Sequence, residues 1–191
     1  MYEVNGWEIF EGVVDWETQV KLRAECIRLR ESWQKYSDWK GISCASRYSH
    51  DLRQFYKSYL VPLAQSVLGT ENIYYFNDQA VVKKPFDNMI FAPHYDNFFG
   101  PNADGKIHTV NLLVCLDDVT AKNGGLWLQN RESAEWVSVH PKAGDVVAIN
   151  GNTYHRSEEN RSLEERAMYA CVYTEKPLEL EGFYDSPVII R

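Results

Sequence analysis

The chain has 191 residues, of which 45% are hydrophobic and 14% aromatic, and its formal net charge is -7 at pH 7. This length suits a single domain, and the apolar content is enough to fill a substantial core. The negative charge and the lack of a clustered basic patch argue against a nucleic-acid backbone or an anionic membrane surface as partner. We therefore expect a small molecule as partner, no nucleic acid and no membrane, and either a monomer or a homodimer.

The first thirty residues contain no apolar stretch long enough for a signal peptide or a spanning helix. This pattern predicts an intracellular, cytoplasmic protein. The four cysteines, Cys26, Cys44, Cys115 and Cys171, are widely separated and form no C-x-x-C pair. Their spacing suggests neither a zinc site nor a redox pair, so we interpret them as reduced, apolar residues.

Apolar residues in the first third of the chain recur at helical spacing. From Asp15 to Tyr36 they follow three- and four-residue steps, which predicts an amphipathic helix with Asp15 as its N-cap. A second stripe from Leu52 to Val67 predicts another helix, which is interrupted at Pro62 and ended by Gly69.

After Gly69 the hydrophobic period shortens to two, and turn residues separate short runs of β-branched and aromatic residues. The predicted strands are Ile73 to Lys84, Ile90 to Asp96, Ile107 to Leu116, Leu126 to Gln129, Trp136 to His140, Asp145 to Ile149 and Arg166 to Glu175. This order predicts a mainly β fold with a helical N-terminal part, a double-stranded β-helix of the jelly-roll or cupin-like type flanked by helices.

We expect one domain over residues 1–191, with a helical prefix at 1–70, a jelly-roll core at 71–175 and a C-terminal extension at 176–191. Three roles are open for the extension, which contains Val188, Ile189 and Ile190. It adds an edge strand, covers the barrel or meets a second subunit.

The pattern His94-Tyr95-Asp96, followed later by His155, is the strongest functional signal. Side chains two residues apart in a strand point the same way, and a later strand can bring His155 beside the first two. Two imidazoles and one carboxylate on one face of an iron(II) ion leave positions open for a cosubstrate and for oxygen. The pattern therefore favours an oxygen-activating enzyme with a metal site at these three residues.

Arg166 opens the last predicted strand of the core and shares the parity of Met168 and Ala170. A guanidinium on this apolar interior face needs an anionic partner. Two kinds of partner are open. One is the carboxylate of a bound ligand, which a guanidinium matches with two hydrogen bonds, and the other is a carboxylate of the chain such as Glu164 or Glu165.

The stretch from Ala92 to Thr174 resembles the catalytic core of the iron(II)/2-oxoglutarate-dependent dioxygenases, most closely the phytanoyl-CoA dioxygenase-like branch. The motifs that carry the resemblance are Pro93-His94-Tyr95-Asp96, Leu116-Asp117-Asp118-Val119-Thr120, Asn123-Gly124-Gly125-Leu126, Ala143-Gly144-Asp145, and His155-Arg156-Ser157 through Asn160-Arg161-Ser162 to Arg166. The direct run from Trp127 to Trp136 resembles prolyl-hydroxylase-like members instead.

The resemblance implies an oxidoreductase that uses iron(II), 2-oxoglutarate and O2. Iron would be bound by His94, Asp96 and His155, while Arg166, helped by Ser157, would hold the distal carboxylate of 2-oxoglutarate. The implied reaction hydroxylates an unactivated C–H bond of a small-molecule substrate, of amino-acid-derived or natural-product type, and converts 2-oxoglutarate to succinate.

Strand parity adds further candidates for the cosubstrate pocket. Thr109 and Asn111 share one face of their predicted strand, and Gln79 lies in the strand run before the first histidine. Each of the three is equally open to being an outward polar residue. Lys83 and Lys84 are interpreted as solvated charges at a strand end, unless one of them reaches inward to meet a carboxylate.

Three other functions stay open at this point. The chain is compatible with prolyl-hydroxylase-like modification of a peptide or protein side chain, and with a cupin-like metal-binding protein that does not use 2-oxoglutarate. A β-sandwich binding module or metal sensor, in which His94 and Asp96 are ordinary loop residues, belongs to a different class. The remaining histidines, His50, His108 and His140, have no partner at ligand spacing and are predicted to bind no metal.

Overall fold

Two antiparallel β-sheets face each other in the computed structural model, which describes residues 2–33, 41–98, 105–178 and 188–190. The larger sheet consists of β1 (Trp7–Phe10), β2 (Gly41–Ser43), β3 (Ile73–Lys83), β5 (Thr109–Cys115), β8 (Val146–Asn150), β10 (Arg166–Thr174) and β11 (Val188–Ile190). The smaller sheet consists of β4 (Phe91–His94), β6 (Leu126–Gln129), β7 (Trp136–Val139) and β9 (His155–Ser157).

Neighbouring strands in both sheets come from distant parts of the chain. The larger sheet has the order β1, β8, β5, β10, β3 and β11, with β2 also paired to β3, and the smaller sheet has the order β4, β9, β6 and β7. This is the arrangement of a jelly roll, as the sequence predicts. Its consequence for the site is that β4 and β9, which carry the two histidines, lie side by side.

Helices lie before the first long strand and pack on the larger sheet. They are α1 (Tyr2–Asn5), α2 (Trp16–Trp33), α3 (His50–Gln54), a π-helical turn (Phe55–Tyr59) and α4 (Val61–Leu68). Asp15 caps α2 as predicted, since its Oδ1 accepts from the Thr18 amide at 2.9 Å. The second predicted helix is divided before Pro62 and ends at Gly69, which has a φ of 66°. Residues 34–36 of the first predicted helix lie outside the described residues.

Two apolar layers bury the two faces of the larger sheet. One layer lies against the helices and includes Leu22 of α2 together with Tyr169 and Tyr173 of β10. The other lies between the sheets and includes Leu128 of β6 and Met168 of β10. Each fully buried side chain of this size stabilises the fold by about 1.5–3 kcal/mol. The alternation along β10 agrees with the predicted parity and places Arg166 on the side of the smaller sheet.

Some short strands have no counterpart among the predicted elements. These are β1, β2 and β9, whereas the C-terminal strand β11 corresponds to one of the three roles open for the extension. β11 pairs with β3 from Val188 opposite Tyr75 to Ile190 opposite Ile73, so the extension does add an edge strand. No helix within the described ranges is long and apolar enough to cross a membrane. The single-domain division stays a prediction.

One buried carboxylate ties the larger sheet to the helical side. Asp78 of β3 is 1% exposed. Its Oδ2 accepts from the Ser46 amide at 2.8 Å, its Oδ1 accepts from the Tyr75 hydroxyl at 2.5 Å, and the Tyr169 hydroxyl also donates to Oδ2. Burial raises the pKa of Asp78, and this effect outweighs the hydrogen bonds, which favour the charged form.

Replacing Asp78 is expected to destabilise the fold, and the loss of stability should grow with the number of hydrogen-bond donors that lose their acceptor. Asp78→Ala removes the acceptor of three hydroxyls, those of Tyr75, Tyr169 and Ser46, and of the Ser46 amide, at about 1–3 kcal/mol for each donor left without a partner, whereas Asp78→Asn keeps one acceptor oxygen. Because the folded pKa lies above the unfolded one, wild type loses stability as the pH rises through the interval between them. Urea unfolding from pH 4 to 8 should therefore show that the free energy of unfolding of Asp78→Asn approaches that of wild type as the pH rises. A difference in unfolding free energy that is independent of pH would contradict the raised pKa.

Candidate active site

Three side chains with metal-binding atoms converge at one end of the space between the sheets. The ligand atoms offered by His94, Asp96 and His155 all lie within 4.8 Å of one another. Asp96 Oδ1 is 4.0 Å from His94 Nε2 and 3.7 Å from His155 Nε2. The three side chains retain 27%, 24% and 11% of their exposure, so the cluster can be reached from solvent.

Backbone conformation places Asp96 differently from the prediction. β4 ends at His94, and Asp96 begins a 3-10 turn, Asp96–Phe98. The approach of Asp96 to His94 therefore comes from the turn and not from alternation along one strand. The second histidine lies directly opposite the first, because β4 and β9 pair with His94 facing His155 and their ring centroids are 4.2 Å apart.

Both histidines are oriented by the backbone. His94 Nδ1 is 2.7 Å from the Ala92 carbonyl oxygen, and His155 Nδ1 is 3.1 Å from the Thr153 carbonyl oxygen. A carbonyl oxygen only accepts, so each Nδ1 carries the proton and each Nε2 keeps its lone pair for a metal ion. Burial and the neighbouring His155 also lower the pKa of His94, which favours the neutral form that ligates.

Arg166 lies in the same pocket without an anion. It is 2% exposed, and burial lowers its pKa to about 10. Among the described residues it forms no ion pair within 4 Å, its Nε has no hydrogen-bond partner, and its Nη2 reaches only the Gly124 carbonyl oxygen at 3.5 Å. The alternative partners Glu164 and Glu165 thus form no ion pair with it. A buried guanidinium in this state lacks the carboxylate that it needs.

A second buried cation, Lys83, lies beside Arg166 and was not among the predicted site residues. Lys83 pairs with Arg166 across β3 and β10 and is 0% exposed. Its Nζ donates to Ser157 Oγ at 2.8 Å and also to the Glu158 carbonyl oxygen. Burial, and then the charge of Arg166, lower the pKa of Lys83 to about 7. The interpretation of Lys83 as a solvated charge is wrong, and the inward alternative is the one observed.

Of the remaining predicted residues, two line the pocket and one forms a hydrogen bond outside it. Asn111 and Gln79 line the pocket with the three candidate metal ligands, Arg166 and Ser157. Thr109 does not line it, because its hydroxyl donates to Asn97 Oδ1 at 2.8 Å behind the turn that carries Asp96. His50, His108 and His140 are exposed and lie outside the cluster, and all four cysteines are free thiols.

Comparison with known protein families gives a match over most of the chain. A family model described as Phytanoyl-CoA dioxygenase (PhyH) matches residues 2–130 and 128–168. A phytanoyl-CoA dioxygenase of Arabidopsis thaliana is 28% identical over 152 residues, which make up 63% of this chain and 53% of that protein. The match thus spans about half the length of this relative.

Solved structures share the fold at low sequence identity. The non-heme alpha ketoglutarate dependent epimerase SnoN from nogalamycin biosynthesis has a TM-score of 0.79 at 19% identity, over 98% of this chain and 89% of its own. Another structure of SnoN contains Fe3+, alpha ketoglutarate and nogalamycin RO. EctD from S. alaskensis, solved with 2-oxoglutarate and 5-hydroxyectoine, has a TM-score of 0.79 at 18% identity, over 96% and 79% of the two chains. These likenesses confirm the predicted jelly-roll fold.

Proposed function

Because this chain belongs to the phytanoyl-CoA dioxygenase family, we propose that it is an iron(II)- and 2-oxoglutarate-dependent oxygenase. The family assignment confirms the resemblance that the motifs predict. One observation carries the proposal: a cluster of two histidines and one aspartate shares its pocket with the buried Arg166, which forms no ion pair among the described residues. Lys83 lies behind this pocket, opposite Arg166 and bonded to the pocket residue Ser157.

The donor set fits iron(II). His94 Nε2, His155 Nε2 and Asp96 Oδ1 form a set of two imidazoles and one carboxylate, which suits non-haem iron and leaves coordination positions for other ligands. When bound, iron(II) and 2-oxoglutarate would supply the oxidising chemistry together with O2, and 2-oxoglutarate would be converted to succinate and CO2. The chain binds and orients these groups, and apolar residues of the pocket such as Leu113, Leu126 and Met168 exclude water from it.

Two cations and a hydroxyl would hold the distal carboxylate of 2-oxoglutarate. Arg166 offers a guanidinium that forms no ion pair among the described residues and whose Nε has no hydrogen-bond partner, Lys83 offers an ammonium, and Ser157 Oγ lies 2.8 Å from that ammonium. A carboxylate between them would neutralise a pair of like charges that burial alone makes unfavourable. This role for Arg166 and Ser157 is the one that the resemblance implies, and Lys83 is added to it.

Gly124 leaves the room that this pair of cations needs. A Cβ at this position would lie 2.7 Å from Lys83 Cδ and 3.1 Å from Arg166 Nη2, and the φ of Gly124 is 105°. Gly124→Ala is therefore expected to displace both cations and to weaken 2-oxoglutarate binding by about tenfold or more, equivalent to about 1.4 kcal/mol. Titration calorimetry measures this change. Gly125→Ala is the matched control, because its Cβ would approach no atom closer than 3.4 Å.

We assign a small molecule as substrate and hydroxylation of an unactivated C–H bond as the outcome. The ligands named with SnoN and EctD, nogalamycin RO and 5-hydroxyectoine, are small molecules, which supports this substrate class. The carboxylate of Asp96 supports hydroxylation. By the family resemblance, iron(II)/2-oxoglutarate-dependent halogenases lack a carboxylate at this ligand position. A cytoplasmic location and a monomeric or homodimeric state stay predictions.

An anaerobic titration tests the proposed function. Adding 2-oxoglutarate to the iron(II)-loaded protein should produce a visible charge-transfer band, and admitting oxygen should then release succinate. A panel of free amino acids, acyl conjugates and peptides identifies the substrate class by stimulation of that release. Iron binding without the band would favour a cupin-like protein that does not use 2-oxoglutarate, whereas stimulation by peptides alone would favour the prolyl-hydroxylase-like alternative.

A further inference from the structure

The side chain of Asn111 forms a hydrogen bond to the candidate metal cluster through one of its polar atoms, and its other polar atom has no partner. It lies on β5, lines the pocket and is 9% exposed. Its Nδ2 donates to Asp96 Oδ2 at 3.1 Å. Its Oδ1 is buried and has no hydrogen-bond donor within the described part of the chain. A buried acceptor without a donor is unfavourable, so the side chain of Asn111 costs stability at one atom while its other atom holds Asp96.

The bond to Asn111 distinguishes the two oxygens of Asp96. Oδ2 is the oxygen that accepts from Asn111, whereas Oδ1 is the oxygen within 4.0 Å of both histidine Nε2 atoms. A carboxylate that binds a metal through both oxygens occupies two coordination positions, and one that binds through a single oxygen occupies one. The number of positions left for other ligands therefore depends on what holds Oδ2.

We propose that Asn111 is a positioning residue that keeps Asp96 a one-oxygen ligand by holding Oδ2 away from the metal. This inference rests on the proposed function, because it concerns the same metal centre. Its effect is to preserve a coordination position that a two-oxygen carboxylate would fill. Asn111 itself touches neither the metal nor the cosubstrate in this role, although the sequence suggested it as a cosubstrate-lining residue.

Water-proton relaxation with bound Mn(II) counts the coordination positions that water occupies, and needs no turnover. Asn111→Leu should bind Mn(II) but lower the relaxation enhancement per bound ion by about a third, since one of roughly three open positions is lost. Asn111→Val tests the same change with a residue suited to a strand, should the leucine variant not fold. Leu112→Val, on the same strand but facing the helical layer and not the pocket, is the matched control and should behave as wild type.

Thermal unfolding separates positioning from a structural role. Both apolar Asn111 variants should unfold close to the wild-type temperature in the absence of metal, because removal of the unsatisfied acceptor offsets the loss of the hydrogen bond to Asp96, whose carboxylate solvent can reach. An unchanged relaxation enhancement in a folded Asn111 variant would overturn the inference while leaving the proposed function intact. Failure of wild type to bind Mn(II), with His94→Ala indistinguishable from it, would instead count against the metal centre itself.

Discussion

Replacing His155 with alanine is expected to abolish iron-dependent succinate formation and to weaken metal binding by more than about 100-fold. Loss of a group behind a metal ligand already costs about 10- to 100-fold in affinity, and His155 supplies a ligand atom directly. His155 is also the less exposed of the two histidines, so solvent cannot easily take its place. Titration with iron(II) or cobalt(II) under anaerobic conditions gives the affinity, and succinate release gives the activity.

The chain supplies matched controls for this change. His108→Ala removes an exposed histidine outside the cluster and should leave both quantities at the wild-type value. Asp96→Ala should behave like His155→Ala, since it removes the oxygen between the two imidazoles. Equal metal affinity for wild type and His155→Ala would show that the cluster is not the metal site, and would favour a binding module.

Replacing Arg166 with methionine should have opposite effects on stability and on ligand binding. The ligand-free protein should be at least as stable as wild type, because an unpaired buried cation is removed. Binding of 2-oxoglutarate should weaken by about 100-fold, since hydrogen bonds to charged groups contribute about 1.5–3 kcal/mol each. Thermal unfolding with and without 2-oxoglutarate measures both, because a bound ligand stabilises the folded protein by an amount that grows with the logarithm of its concentration over its Kd.

Arg161→Met is the control for Arg166→Met. Arg161 is an exposed arginine paired with Glu159, and its loss should change neither the melting temperature nor the shift caused by 2-oxoglutarate. Lys83→Met should resemble Arg166→Met in direction. A full 2-oxoglutarate shift in Arg166→Met would place the cosubstrate elsewhere, whereas a large loss of stability without ligand would show that the guanidinium has a structural partner.

The long strands and helices could be predicted because their burial leaves a periodic pattern. β3, β5 and β10 lie within one or two residues of their predicted ends, and α2 begins next to its predicted cap. β2 and β9 have only three residues each, too few to show a period, and β1 is half-buried throughout. Pairing with distant strands defines these elements, and pairing is not visible in local sequence.

The site residues likewise divide into those that can be predicted from the order of residues along the chain and those that depend on strand pairing. Order along the chain was enough to bring His94, Asp96 and His155 together, although the turn at Asp96 was not visible in the alternation. Lys83 was missed because its role depends on register. Lys83 lies opposite Arg166 only because β3 pairs with β10 in this register. The signal for this pair in the sequence is that each residue is a cation at the end of a predicted strand.

Each candidate metal-binding imidazole takes its direction from a peptide group two positions earlier in its own segment. Ala92 sets the ring of His94, and Thr153 independently sets the ring of His155. The orientation of one imidazole ring therefore does not depend on the presence of the other. Removal of one histidine should therefore weaken metal binding while the other ring keeps its orientation, so a substitution at one position changes the donor set without rearranging the remaining ligand.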